Sequence, residues 1–237
     1  MKPTILFLFN SSPYASAPWV AAGGYNVVHV DYDGTDHSDA HSGPIEGVIR
    51  LNIDLSQSIA VGLVLTALVE HGLAPPSLVV SFPPCTDLAV SGARHFATKL
   101  EADPDCQNRA VRMAQLAQWF ACPYIVENPI SVLSTKWRKP DYIAHPWQFS
   151  YMFDRYGLEG EHPEFPSVVP AYDWYNKKTC YWTGNGFQMP WLDTGPGPDG
   201  NNPGWEKLGG KGARTKYIRS LTPRGFAYAV YHWNHES

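Results

Sequence analysis

The sequence predicts an α/β protein built on a doubly wound, mostly parallel sheet, with a small, irregular, aromatic-rich lobe attached. Three observations predict it. Short apolar runs alternate with helix-compatible segments through residues 1–130, the pattern of parallel strands joined by crossover helices. Each run gives way to polar or small residues, as strands do where they leave a sheet. Of the 237 residues, 44% are hydrophobic, enough to fill a packed core.

The elements follow in order. Ile5–Phe9 is an apolar strand that stops at the polar, small-residue segment Asn10–Ser12. Ala15–Ala22 forms a short helix ended by Gly23-Gly24. Tyr25–Val30 is a β-branched strand ending in Asp31. Residues 33–43 read as a loop, Val48–Ile53 as a third strand, and Ser58–Glu70 as an apolar-rich helix stopped near His71-Gly72. Leu78–Ser81 is a strand running into Phe82-Pro83-Pro84-Cys85. Asn108–Phe120 is helical, and Tyr124–Val126 is a strand leading into Glu127-Asn128-Pro129. From Ser131 to Gly212 periodicity fades and Trp, Tyr, Pro and Gly accumulate. Lys177–Thr183 is one more strand and Gly195–Gly212 a loop. Leu221–Trp233 is a closing helix with Thr222 as N-cap and Pro223 in its first turn. Residues 1–130 and 172–237 are expected to form the catalytic domain, and residues 131–171 a small insertion.

Bulk properties exclude several classes. The net charge of −4 argues against strong non-specific DNA binding but leaves room for a local basic groove. The four cysteines, Cys85, Cys106, Cys122 and Cys180, form no Cys-x-x-Cys pair, which fits reduced thiols and no zinc site. Ile5–Phe9 is too short for a membrane span, so the expectation is a cytoplasmic protein without metal.

In a doubly wound sheet, ligands gather at the C-terminal ends of the strands. Asp31, Cys85 and Glu127 each fall just past a predicted strand. Cys85, held after two prolines, is placed as a nucleophile or as an inert strand-end thiol. Glu127 is placed as a partly desolvated carboxyl able to protonate a ring nitrogen, or as an ordinary loop glutamate. Asp31 suits a hydroxyl-binding carboxylate or a turn, and Asp54 a ligand contact or a helix N-cap.

Taken together, three segments resemble the DNA (cytosine-5) methyltransferase family in order and spacing. They are Pro83-Pro84-Cys85 with Leu88, Ala89 and Gly92 following, the strand-end Glu127-Asn128, and Arg219-Ser220-Leu221-Thr222-Pro223-Arg224. The likeness is closest to short, phage-type members, for which host cytoplasm would be the location. The resemblance implies a Rossmann-like methyltransferase fold, S-adenosyl-L-methionine as cofactor, and cytosine-containing DNA as partner. It implies Cys85 as the covalent nucleophile on cytosine C6 and Glu127 as the group protonating N3. Lys178, in Asn176-Lys177-Lys178, would stand where the family has a base-contacting Arg. Phe9, Ser11, Ser12, Asp31, Asp54 and Pro83 would border the cofactor, with Asp31 on the ribose and Asp54 near the adenine. Ser91 and Arg94, in the loop after the nucleophile, would touch DNA, and Lys136, Arg138 and Lys139 lie in an aromatic, basic stretch that reads either as a DNA contact or as a small second core. The first turn departs from the family, because its glycines are replaced by Asn10-Ser11-Ser12-Pro13. That departure keeps two alternatives open: the same covalent chemistry with another one-carbon donor, giving a hydroxymethyl product, and a catalytically silent DNA-binding homologue.

Overall fold

The computed structural model describes residues 1–10, 12–32, 44–200, 208 and 212–235. The predicted loop at 33–43 and Ser11 lie outside the described residues. Seven strands form one sheet in the order β3-β2-β1-β4-β5-β7-β6. They are β1 (Thr4–Leu8), β2 (Asn26–Asp31), β3 (Val48–Asn52), β4 (Pro76–Ser81), β5 (Tyr124–Pro129), β6 (Tyr142–Ala144) and β7 (Thr179–Gly184). The first five run parallel to one another, and β7 runs antiparallel between β5 and β6. This is the predicted Rossmann-like α/β architecture. The strand order reverses between β1 and β4, which creates a crevice at their C-terminal ends.

The sequence explains the centre of the sheet. β1 is buried along its whole length, because TILFL carries apolar residues on both faces and helices cover both sides. One layer packs Leu6, Leu8, Val28 and Val79 against Val64 and Leu68 of α2 (Ala60–Glu70) and against Ala110 and Ala114 of α4 (Cys106–Gln115). The other packs Ile5, Phe7, Val27 and Leu78 against Trp19 of α1 (Ala17–Ala22) and against Phe226 and Val230 of the closing helix. Between β4 and α4 lies α3 (Phe96–Ala102). After β5 come α5 (Leu133–Lys136) and α6 (Tyr151–Tyr156), and α7 (Ala213–Ser220) and α8 (Arg224–Asn234) close the chain.

Three features differ from the expectation. The segment 131–171 does not stand apart as an inserted lobe. It supplies β6 to the sheet, and Phe149 and Met152 join the core against Phe226. α7 was not foreseen; it packs through Thr215 and Ile218. The closing helix starts at Arg224, with Pro223 rather than Thr222 at its N-cap. Its first-turn N–H is capped from afar: Gly225 N–H donates to Asp173 Oδ2 at 2.9 Å. Tyr172 and Asp173 hold left-handed φ of 58° and 51°, which turns that carboxylate inward. Among the described residues, no helix is long and apolar enough to cross a membrane.

Candidate functional site

The crevice is built by two strand ends. β4 extends past Ser81 because Phe82 N–H donates to the Leu8 carbonyl at 3.1 Å. The two prolines then stiffen the exit, and Cys85 emerges exposed. Its carbonyl accepts from Leu88 N–H and Ala89 N–H, so the chain turns directly after the thiol. From the neighbouring strand, Asn128 is 1% exposed and donates its Nδ2 hydrogen to the Pro83 carbonyl at 2.9 Å. That bond ties the Pro-Pro-Cys turn to the strand carrying Glu127. The turn is fastened again farther on, where Val90 N–H donates to Ile130 O and Val132 N–H to Leu88 O. On its outer side, Lys99 of α3 donates to Thr86 O at 2.6 Å and pairs with Asp87 at 2.7 Å.

Next to this turn lies a narrow cleft, lined by Phe82, Glu127, Lys177, Thr179, Tyr181 and the segment Ser220–Pro223, with Phe226. Strand parity explains the set. Glu127 is paired with Tyr181 across the β5–β7 ladder, so both point to one face, and alternate positions Thr179 and Lys177 follow them. Tyr181 stacks on Phe226 with ring centroids 5.0 Å apart, giving the cleft an aromatic wall. The cleft therefore offers flat apolar surface with one carboxyl and one ammonium, a combination suited to a planar polar heterocycle.

The electrostatics are coupled. Burial pushes the Glu127 carboxyl up from its ordinary value, and Lys177 pulls it back. The Cys85 thiol is also pushed up, first by desolvation and then by the charge of Glu127, while Lys177 and Lys99 pull it down. The thiol thus feels the two charged groups that line the cleft. A Glu127 that takes a proton removes the largest charge opposing thiolate formation at Cys85.

At the other half of the crevice, Asp31 ends β2 and Tyr32 follows it, 52% exposed. Asp31 Oδ1 accepts from Tyr32 N–H at 2.9 Å. Asp54 lies past β3 and accepts from Ser56 N–H at 2.9 Å, an Asx turn and not the helix N-cap of the competing reading, since α2 begins later at Ala60. Phe9 makes the turn after β1 with a left-handed φ of 56°, a conformation that glycine would adopt without cost. Asn10 and Ser12 are buried; Asn10 Nδ2 reaches the Ser12 carbonyl and His29 Nε2. Ser81, at the end of β4, keeps a buried Oγ without a partner among the described residues. Two carboxylates and an exposed ring thus stand at adjacent strand ends on this half of the crevice. The inward-turned Asn10 and Ser12 leave less open backbone than a glycine turn would.

The structure separates the other sequence-predicted residues. Lys178 is exposed on the opposite face of the β7 lead-in; Lys177 is the cation that lines the cleft. Arg138 does not belong to the site edge. It forks onto Asp141 at 2.8 and 2.7 Å and donates to the Thr183 carbonyl. Thr183 is four positions from Thr179 along β7, about 13 Å in an extended strand, toward the far edge of the sheet. Arg138 also lies over the Trp137 ring, 5.0 Å from its centroid. Lys136 and Lys139 are exposed near it. Ser91 and Arg94 are exposed beside the Cys85 turn, with Arg94 Nε on His95 at 3.1 Å. Lys177 and Tyr32 were missed in the sequence; period-2 counting from Tyr181 would have found the first.

No family model matches the chain, and no curated protein matches it. Solved structures show slight likenesses. A short chain dehydrogenase family protein from Francisella tularensis is 12% identical over 44% of this chain and 47% of that one, with TM-score 0.25. The Bordetella bronchiseptica enzyme WbmH, in complex with NAD+, is 11% identical over 66% and 63%, with TM-score 0.30. The MycE methyltransferase from the mycinamycin biosynthetic pathway, in complex with Mg and SAH, is 10% identical over 78% and 42%, with TM-score 0.30. The chain spans less than two thirds of the length of each.

Proposed function

We propose that this chain transfers a one-carbon group to C5 of cytosine in DNA, through a covalent adduct between Cys85 and C6. The observation that carries the reading is the hydrogen bond from Asn128 to Pro83, which joins the Cys85 turn to the Glu127 strand at the mouth of the aromatic cleft. Phe82, Glu127 and the segment 220–223, far apart in sequence, line that cleft, and Cys85 follows Phe82 by three residues. The antiparallel β7 also departs from the 3-2-1-4-5-6 order of dinucleotide-binding sheets.

The residues divide the work as follows. A cytosine taken out of the stack enters between Phe82 and the Tyr181–Phe226 wall. Glu127, with its raised affinity for a proton, donates to N3. The Cys85 sulfur forms a bond to C6, and the C5–C6 π pair becomes available at C5. Asp31, Asp54, Tyr32 and the Phe9 turn would hold S-adenosyl-L-methionine, which would supply an electrophilic methyl group to C5. The C5 proton then passes to water, the C6–S bond breaks to free Cys85, and N3 returns its proton to Glu127, which restores the ring.

A second reading keeps this covalent chemistry and changes the donor, and the buried Asn10 and Ser12 side chains in the first turn favour it. One experiment tests both. A cytosine-containing duplex is incubated with protein and S-adenosyl-L-methionine, or with a folate-borne one-carbon donor, and weighed by mass spectrometry. Gain of one CH2 in the first case is the expected result. Gain of CH2O only with the other donor selects the second reading, and an unchanged mass with both overturns the proposal.

A further inference from the structure

We infer that α7 is the surface that grips the phosphate backbone of the nucleic-acid strand whose base enters the cleft. This rests on the proposed DNA substrate and names the face that holds it. α7 reads ARTKYIRS: Arg214, Lys216 and Arg219 are exposed, and the helix carries no acidic residue. In a chain with net charge −4, such a helix concentrates positive charge locally. None of the three forms an ion pair among the described residues. Glu164, whose charge is felt by Tyr217 of this helix, is itself taken up by the Tyr14 hydroxyl.

Position distinguishes this surface from an ordinary solvated face. α7 ends at Ser220, and Ser220 through Pro223 form one wall of the cleft. The Arg219 carbonyl accepts from Lys177 Nζ at 3.3 Å, so the helix end is tied to the cation inside the cleft. The basic surface therefore continues from the rim of the base site without a break. Eight residues of helix span about 12 Å. At roughly one phosphate per 3.4 Å along each strand, that length faces about three phosphates. Thr215 and Ile218 are buried and anchor the helix, while Arg214, Lys216 and Arg219 stay exposed, Arg214 with its guanidinium 5.8 Å from the centroid of the Phe165 ring.

The test is the salt dependence of DNA binding, read by fluorescence anisotropy with a duplex holding a mismatched cytosine. The variant combines Arg214→Ala, Lys216→Ala and Arg219→Ala; circular dichroism checks its fold, and a Lys-for-Arg variant at 214 and 219 provides a second, charge-preserving protein. Each lost phosphate contact lowers the slope of log K against log salt by about 0.9, so the triple variant should lose about 2 to 3 units of slope. The charge-preserving variant and Lys2→Ala, at the opposite sheet edge, should keep the wild-type slope. A triple variant with an unchanged slope overturns the assignment of α7 while DNA binding itself stands. Absence of DNA binding by the wild-type protein overturns the assignment together with the proposed substrate. Loss of slope in the Lys-for-Arg variant as well would also overturn it, because charge would then not be the cause.

Discussion

Removing the Asn128 amide should loosen the Cys85 turn by an amount that the structure sets. The donor is buried at 1% exposure, and its bond to the Pro83 carbonyl is 2.9 Å long. In Asn128→Ala the Pro83 carbonyl loses this partner, and an unsatisfied buried acceptor costs about 1–3 kcal/mol. Part is offset, because Asn128 Oδ1 is itself buried without a partner and disappears with the side chain. A net loss of about 1–2 kcal/mol follows. With a urea slope of about 1–3 kcal/mol/M, the unfolding midpoint should fall by roughly 0.3–2 M. The effect on chemistry should be larger. Displacement of a reacting atom by about 1 Å costs on the order of 100-fold in rate, so covalent adduct formation should slow by that factor. Asn128→Asp keeps the shape but aims an acceptor at an acceptor, and should be at least as damaging. Urea denaturation and the rate of adduct formation on 5-fluorocytosine DNA measure the two effects. If Asn128→Ala leaves both unchanged, the bond does not position Cys85 and the explanation of the site's geometry fails.

Other perturbations read separate parts of the account. Lys177→Met should shift the iodoacetamide titration of Cys85 to higher pH, because Lys177 pulls the thiol pKa down; the same change at Lys178 should move it less, and equal shifts would undo the parity assignment. Asp173 has its carboxyl pushed up to about 6 by burial, against an ordinary value of 3.8. Because the folded value is the higher one, its contribution is full below about pH 4 and is lost as pH rises through about 6. Relative to Asp173→Asn, the wild type should therefore lose about 3 kcal/mol of stability between pH 4 and pH 7, at about 1.4 kcal/mol per unit; parallel pH curves in thermal melts would refute this. Gly225→Ala puts a Cβ 2.7 Å from the Phe149 carbonyl oxygen, so α8 must shift, and a loss of about 1–3 kcal/mol in denaturant titration is expected.

The sheet was legible because its central strands are buried on both faces and read as unbroken apolar runs: TILFL and the VVS end of β4 leave little choice. The strand-end positions of Asp31, Cys85 and Glu127 followed from those runs. What was hidden depended on contacts distant in sequence. α7 is short and polar, with a two-residue apolar stripe, so its pattern resembles a loop. The cap of α8 comes from Asp173, 52 positions away, and no local signal announces it. Aromatic richness in 131–171 suggested a separate lobe, yet those rings fill the main core beside Phe226. Two local signals were legible and unused. Asp141 stands three residues after Arg138 and marks it as a paired cation. Period-2 counting from Tyr181 selects Lys177 over Lys178.

The central claim is that Cys85 attacks the base, and trapping tests it most directly. DNA carrying 5-fluorocytosine blocks release of the C5 substituent, so an enzyme that bonds to C6 is held on the DNA. Wild-type protein incubated with this DNA and a one-carbon donor should migrate as a denaturation-resistant complex whose peptide map places the DNA on Cys85. Cys85→Ser should give no complex, whereas single serine replacements of Cys106, Cys122 and Cys180, all buried and none lining the cleft, should trap as wild type does. Equal trapping by Cys85→Ser and wild type, or no trapping with any donor, would contradict the account.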